Sequence, residues 1–424
     1  MQNKNLFFVV SSAVLCAASF LYLSFLWWLS FIFLVPLFLL SLKKYSFLYG
    51  FVWGIVFFTL HSNTLWHVCR HHAVVAWWFV IPMILIFWFC IWSGIWFYFL
   101  YKTSSHFFKL FVTTIYFLSM HDVLLTPLSW RLEGYPFASP LIPLFYGGCL
   151  GLLAYIPLSI VYALFILAAY LFAQQQWFFA FVCLFCLALP LKHEIIHDFS
   201  SFMCITPLQK FSDKPYERAQ ELGIAFDVAR YMYPDKKIFL FPESVFPYAV
   251  NDHSYMVRFF EDQSSEVNLM FGGYRYENEK LFNTVFLLHK GRITYYYDKR
   301  FLVTFFECHH PGIDNQNQKQ TSFIFRPFLA QKVACSANTQ KEYFSFSLSE
   351  GSEGLNGIKQ VYVPIICSEA LWYMPYNKKA IAFVNDSYFY AYFAHILYAT
   401  ACFNAYKNKT KLFYCGYQVN SNNS

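Results

Sequence analysis

Residues 238–244 read Ile-Phe-Leu-Phe-Pro-Glu-Ser, an apolar run that suits a buried strand, closed by a proline and a carboxylate, Glu243. Two later stretches repeat the construction. Residues 293–307, ITYYYDKRFLVTFFE, place Lys299 at the end of an apolar run, and residues 363–372, VPIICSEALW, place Cys367 there. A strand end holds a side chain firmly while the loop beyond it leaves access to a substrate. A carboxylate, an ammonium and a thiol are the parts of a thiol acyl-transfer site. Glu243 can take the thiol proton, Cys367 as thiolate is the nucleophile, and Lys299 can favour the thiolate and stabilise an oxyanion. Singly each residue is ordinary; a Glu after a strand serves as a cap, a buried Cys as packing, and Asp298-Lys299-Arg300 as a solvated turn.

Around these stretches the chain alternates strand and helix. Phe202–Ile205 reads as a first strand. Ser212 or Asp213 can cap a helix with Pro215 in its first turn, and Tyr216, Ala219, Leu222, Phe226 and Ala229 recur at helical spacing. Val267–Phe271 reads as a strand ending at Gly272-Gly273. Thr284–His289 and Arg292–Tyr297 flank Lys290-Gly291 as a hairpin. Val361–Ile366 runs into Cys367, and Ala380–Val384 into Asn385-Asp386. Residues 308–358 have little pattern and read as a long loop or insertion.

The N-terminal half is different. Of 424 residues 58% are hydrophobic and only 13% charged, against about 25% charged in an ordinary soluble domain. The deficit falls on residues 1–192, which divide from a globular domain at 193–424 of about 230 residues, enough for one sizeable core. Seven apolar runs, near 6–23, 25–42, 46–61, 74–100, 107–125, 143–172 and 176–191, approach the roughly 20 residues a membrane helix needs. The first is followed at once by another apolar run, so it reads as a retained anchor rather than a cleaved leader. Lys4, Lys43, Lys44, Lys102 and Lys109 fall on one side of alternating spans, which favours a cytoplasmic N-terminus and places 193–424 outside.

The formal charge of +7 is dispersed and points to no nucleic acid. The 12 cysteines form no framework. Those in the apolar half act as small hydrophobes, and a disulfide among Cys204, Cys308, Cys335, Cys402 and Cys415 is open, with no pairing assigned. His67, His71 and His72, and His309-His310, lack the companions of a metal site.

The flanks of the three residues closely resemble the catalytic motifs of the carbon–nitrogen hydrolase, or nitrilase, superfamily. More narrowly they resemble the apolipoprotein N-acyltransferase family, which joins a multi-span membrane half to an extracytoplasmic nitrilase-like domain. Pro242-Glu243-Ser244 with Pro247 is similar to the glutamate motif. Lys299 with Leu302-Val303 and Glu307 is similar to the lysine motif, with Thr304-Phe305-Phe306 where the family has Pro-Phe-Gly. Cys367-Ser368-Glu369 is similar to the cysteine motif, with Ser368 in place of the usual Tyr. Asn385 to Phe389 and Gly134 to Phe137 resemble two further segments. Residues 411–424 close in polar Asn and Ser where the family continues into another span, and Ala391–Lys407 lacks the family's Arg–Glu pair.

The resemblance implies a helical membrane domain of about seven spans followed by an α/β nitrilase-like α-β-β-α sandwich. It implies a monomer in a bacterial inner membrane with its catalytic domain on the periplasmic side. A phospholipid would donate an acyl chain to Cys367 as a thioester. A diacylated apolipoprotein would accept it on the N-terminal amine of its diacylglyceryl-cysteine. Glu243 would be general base, Lys299 and a backbone N–H near Ser368 the oxyanion stabilisers, and Glu307, Glu369, Ser368 and Asn385 supporting groups. No metal, cofactor or nucleic acid is implied. Aromatics such as Phe246 with Tyr248, Trp372-Tyr373 and Tyr388-Phe389-Tyr390 are candidates to line the acyl path. The alternatives are a divergent amidase or acyltransferase with another acceptor, for example a conjugation-associated one, and a membrane scaffold without activity.

Overall fold

A computed structural model describes residues 2–61, 80–121, 139–190, 202–205, 212–255, 267–299, 346–347, 361–366, 380–385 and 391–415, apart from 22, 41, 43, 213, 244, 252–254, 278–279 and 290–291. The chain divides into two compact units, Met1–Lys192 and His193–Ser424.

The first unit is helical. Its longer helices are Gln2–Leu21, Ser46–His61, Val80–Lys102, His106–His121, Leu158–Ala173 and Trp177–Leu187. Among the described residues one helix, over Lys4–Leu21, is long and apolar enough to cross a membrane by length and composition, and the other apolar helices are shorter. Two expected spans are not single helices. Residues 25–42 break into a 3₁₀ turn at Trp27–Phe31 and a short helix at Val35–Phe38, where Pro36 can only start a helix. Residues 143–172 break between the short helix Leu141–Tyr146 and the helix from Leu158. Gly148 and Leu150 there take positive φ, and Pro157 stands just before Leu158. Small residues let two long helices meet. A Cβ on Gly54 would stand 2.8 Å from the Cys90 Cα, and one on Gly50 2.4 Å from the Ser93 carbonyl oxygen. Large apolar side chains remain on the outside, among them Phe107, Phe178, Phe181 and Phe185.

The second unit is α/β, as expected. Among the described residues its first sheet has six strands: β1 (Phe202–Cys204), β2 (Ile238–Leu240), β3 (Phe246–Ala249), β4 (Asn268–Glu277), β5 (Lys280–His289) and β6 (Arg292–Asp298). Their order is β1-β2-β4-β5-β6, with β3 also on β4. β1, β2 and β4 are parallel, and β4, β5 and β6 antiparallel. The second sheet runs β10-β9-β8-β7, with β7 at Phe346–Ser347, β8 at Val361–Ile366, β9 at Ala380–Asn385 and β10 at Lys411–Cys415. β8, β9 and β10 are parallel, and the helix Ala391–Asn408 is the crossover from β9 to β10.

The pleat sends alternate side chains to opposite faces. On one face Phe239, Phe241, Leu269, Phe271, Phe286 and Leu288 pack with Ala219, Leu222, Phe226 and Ala229 of the helix Pro215–Met232. On the other, Leu240, Met270, Val285, Leu287 and Tyr297 are equally buried, and β5 touches β8 of the second sheet. A disulfide between Cys204 on β1 and Cys415 on β10 joins the two sheets at their edges.

Several expectations change in detail. Lys214, in extended backbone, holds the N-cap place without a side-chain hydrogen bond, because the residue before a proline is pushed out of helical geometry. Ser212 instead accepts from the Lys214 N–H and donates to Glu217, and Asp213 lies outside the described residues. Tyr216 is exposed rather than on the buried face. β4 runs straight through Gly272-Gly273. A Cβ on Gly273 would sit 3.1 Å from the Phe246 carbonyl oxygen, so this glycine admits β3 alongside rather than ending the strand. The hairpin strands pair with His289 opposite Arg292, and Lys290-Gly291 lie outside the described residues. The segment 308–358 lies there too, except for β7, which pairs with β8. Within 411–424, Lys411–Cys415 is a strand.

Candidate active site

β2 ends at Leu240, and the Phe241 N–H still bonds to the Met270 carbonyl before Pro242 turns the chain toward Glu243. From behind, the Arg218 side chain donates to the Val245 carbonyl at 2.6 Å and holds this turn to the helix. Lys299 is the first residue after β6, and its N–H donates to the Asn283 carbonyl of β5 at 2.7 Å. Residues 56 apart in sequence therefore meet. Lys299 Nζ donates to Glu243 Oε1 at 3.1 Å, with Lys299 0% and Glu243 4% exposed.

Sequence reasoning missed a third member. Asn283, 3% exposed, donates from Nδ2 to the same Glu243 oxygen at 2.7 Å. The carboxylate fixes the amide orientation, since the flipped amide would set oxygen against oxygen. Asn283 Oδ1 is left buried without a hydrogen-bond partner among the described residues. The missed signal is register. Asn283 stands one residue before the expected strand, and only the extension of β5 to Lys280, with Tyr274 and Asn283 opposed, reveals its place.

A buried ion pair with an orphaned acceptor is a poor stabilising device. Well-packed apolar residues do as well or better, and native interiors seldom leave polar atoms unpaired. The same groups are what proton removal and oxyanion stabilisation require.

Cys367 lies outside the described residues, as do Ser368, Glu369 and Glu307. β8, described to Ile366, leads directly into Cys367. Asn385 is the last residue of β9, level with Ile366 and with Cys415 of β10. On the first sheet Cys204 is level with Leu240 and Met270. The disulfide thus ties together the carboxyl ends of β1 and β10. These belong to the same strand sets, and stand at the same level, as the end of β2 that leads to Glu243 and the end of β8 that leads to Cys367. Cys402, buried on its helix, is no rival nucleophile, because desolvation pushes its thiol up to about 12.

Phe246 and Tyr248 belong to the buried core beneath the Pro215–Met232 helix. Trp372-Tyr373, Tyr388-Phe389-Tyr390, His67, His71, His72, His309 and His310 lie outside the described residues. Among the described residues no three His, Cys, Asp or Glu side chains group as a metal site would need.

No family model and no curated protein matches the chain. Solved structures similar to it include proteins described as nitrilase or carbon–nitrogen hydrolase superfamily members. A Saccharomyces cerevisiae protein described as a member of branch 10 of the nitrilase superfamily is 12% identical over 50% of this chain and 74% of its own, with a TM-score of 0.34. A carbon-nitrogen hydrolase from Helicobacter pylori is 11% identical over 49% and 70%, with a TM-score of 0.33. A glutamine-dependent NAD+ synthetase from Acinetobacter baumannii is 11% identical over 44% of this chain, which spans 32% of the synthetase, with a TM-score of 0.28.

Proposed function

We propose that this chain is a membrane-bound acyltransferase of the carbon–nitrogen hydrolase superfamily, moving an acyl chain from a phospholipid to the N-terminal amine of a diacylated lipoprotein through a thioester on Cys367. The observation that carries the reading is the buried Lys299–Glu243–Asn283 cluster, with Glu243 just past the end of β2 and Lys299 just past the end of β6. The motif resemblance around all three residues supports it. The disulfide supports placing the second unit in an oxidising compartment such as the periplasm. Exposed aromatics on the helical unit suit a lipid surround better than water.

The chemistry runs in two balanced halves. Glu243 takes the thiol proton as the Cys367 sulfur attacks the ester carbonyl carbon. Lys299 stabilises the resulting oxyanion. The ester C–O bond breaks, and the departing lysophospholipid oxygen takes the proton back from Glu243. The lipoprotein amine then attacks the thioester carbonyl and gives a proton to Glu243. An amide bond forms, the C–S bond breaks, and the thiol is restored. A lipid environment for both substrates avoids exposing acyl chains to water, where each CH₂ costs about 0.8 kcal/mol.

Membranes carrying the protein, given labelled phospholipid and a synthetic diacylated lipopeptide, will yield N-acylated lipopeptide, and Cys367→Ser will yield none. A Cys367 adduct without N-acylated lipopeptide would reject this acceptor. Absence of both adduct and product would reject the enzyme.

A further inference from the structure

Behind the cluster, on the opposite face of β4, β5 and β6, lies a second charged network that the chemistry above does not use. Arg275 on β4 reaches over β5 and grips Asp298 on β6 with two bonds, Nε to Oδ1 at 3.1 Å and Nη2 to Oδ2 at 2.6 Å. Thr284 on β5 donates its hydroxyl to Asp298 Oδ1 at 2.7 Å. The guanidinium carbon lies 4.8 Å from the Phe282 ring centroid and 4.4 Å from that of Tyr296, and Nη1 bonds the exposed Glu277 at 2.5 Å. Burial alone would lower the Arg275 pKa. The bonds to Asp298 and Glu277 outweigh it and hold the pKa raised. Asp298, read from sequence as part of a solvated turn, is thus buried and accepts three bonds.

Its position gives the network meaning. Asp298 is the last residue of β6 and stands opposite Thr284, while Lys299 follows it and stands against Asn283. The two neighbours point to opposite faces, Asp298 to the arginine and Lys299 to Glu243. A strand that slips by one residue turns every side chain over. Three strands are therefore pinned together at the residue beside Lys299, from the face away from the thiol chemistry, by a planar group that lysine cannot replace.

We propose that Arg275, Asp298 and Thr284 form a positioning clamp that keeps the Lys299 ammonium within reach of Glu243 and of the developing oxyanion. The proposal rests on the acyl-transfer reading above. The test is a single-turnover measurement of thioester formation on Cys367 from labelled phospholipid, in the full chain in detergent–lipid micelles. The final amplitude counts competent sites and the rate constant reports how well each works. Arg275→Lys and Asp298→Asn are expected to lower the rate constant about 10- to 100-fold per competent site, the scale of a misplaced catalytic group, while the half-saturating phospholipid concentration holds. Thr284→Val, which removes one of the three bonds to Asp298 and keeps the ion pair, is expected to lower it several-fold. A lowered amplitude with an unchanged rate constant in all three would make the network merely structural and overturn the clamp. A wild-type chain that forms no adduct, or one that persists in Cys367→Ser, would overturn the acyl-transfer reading and the clamp with it.

Discussion

Lys299 and Glu243 are charged groups taken out of water and paired with each other, with Asn283 as a further donor to the carboxylate. Lys299→Met should therefore lose about 3–5 kcal/mol of stability by leaving a buried carboxylate without its cation. Adding Glu243→Gln should restore much of that stability and none of the thioester formation, a combination that denaturant melts and adduct assays together will reveal. A fully additive double variant would show the two groups to be uncoupled. Asn283→Ala removes one donor to Glu243 and the orphaned acceptor at once. It should lower the rate of thioester formation while stability shifts by no more than about 1–3 kcal/mol. Much of this was legible in the sequence. Glu243 and Lys299 stand out in the sequence as strand-end groups, and they meet. Asn283 and the Arg275–Asp298 grip were not legible, because both depend on which residue stands opposite which across β4, β5 and β6, and alternation within one strand carries no information about register between strands.

At the level of elements, most strands of the second unit are legible as apolar runs ending at a proline or polar residue, whereas the short β3 and β10 carry no such signal. The end of β4 is hidden because the glycine pair Gly272-Gly273 serves packing against β3 rather than a turn. In the apolar half the runs were visible, but composition hides the breaks. Pro36, Pro157 and the positive-φ pair Gly148 and Leu150 divide two runs that hydropathy joins. The disulfide, left open among five cysteines, pairs residues 211 positions apart on different sheets. A closure of that length should contribute about 2–5 kcal/mol by restricting the unfolded chain. Peptide mapping without reductant should recover Cys204 joined to Cys415, and Cys204→Ser with Cys415→Ser should lower the melting temperature. Recovery of both as free thiols from the natural membrane would place this domain in a reducing compartment. Cys402, with its thiol pushed up to about 12, should resist iodoacetamide at pH 8 until the protein is unfolded.

The whole molecule joins an apolar helical unit to an α/β unit whose buried charges suit acyl chemistry. The chain should sediment with membranes, stay there in alkaline carbonate and need detergent for release; release by carbonate would argue against a spanning first unit. The central claim is that acyl transfer passes through Cys367 under the control of Glu243 and Lys299. Mass spectrometry of the protein after brief exposure to a phospholipid of defined acyl chain tests it most directly. A mass increase equal to that acyl group is expected on the Cys367 peptide, released by hydroxylamine, and absent from Cys367→Ser and Glu243→Gln. An unmodified Cys367 in a folded, lipid-supplied wild-type protein, or the same adduct in Glu243→Gln, would contradict it.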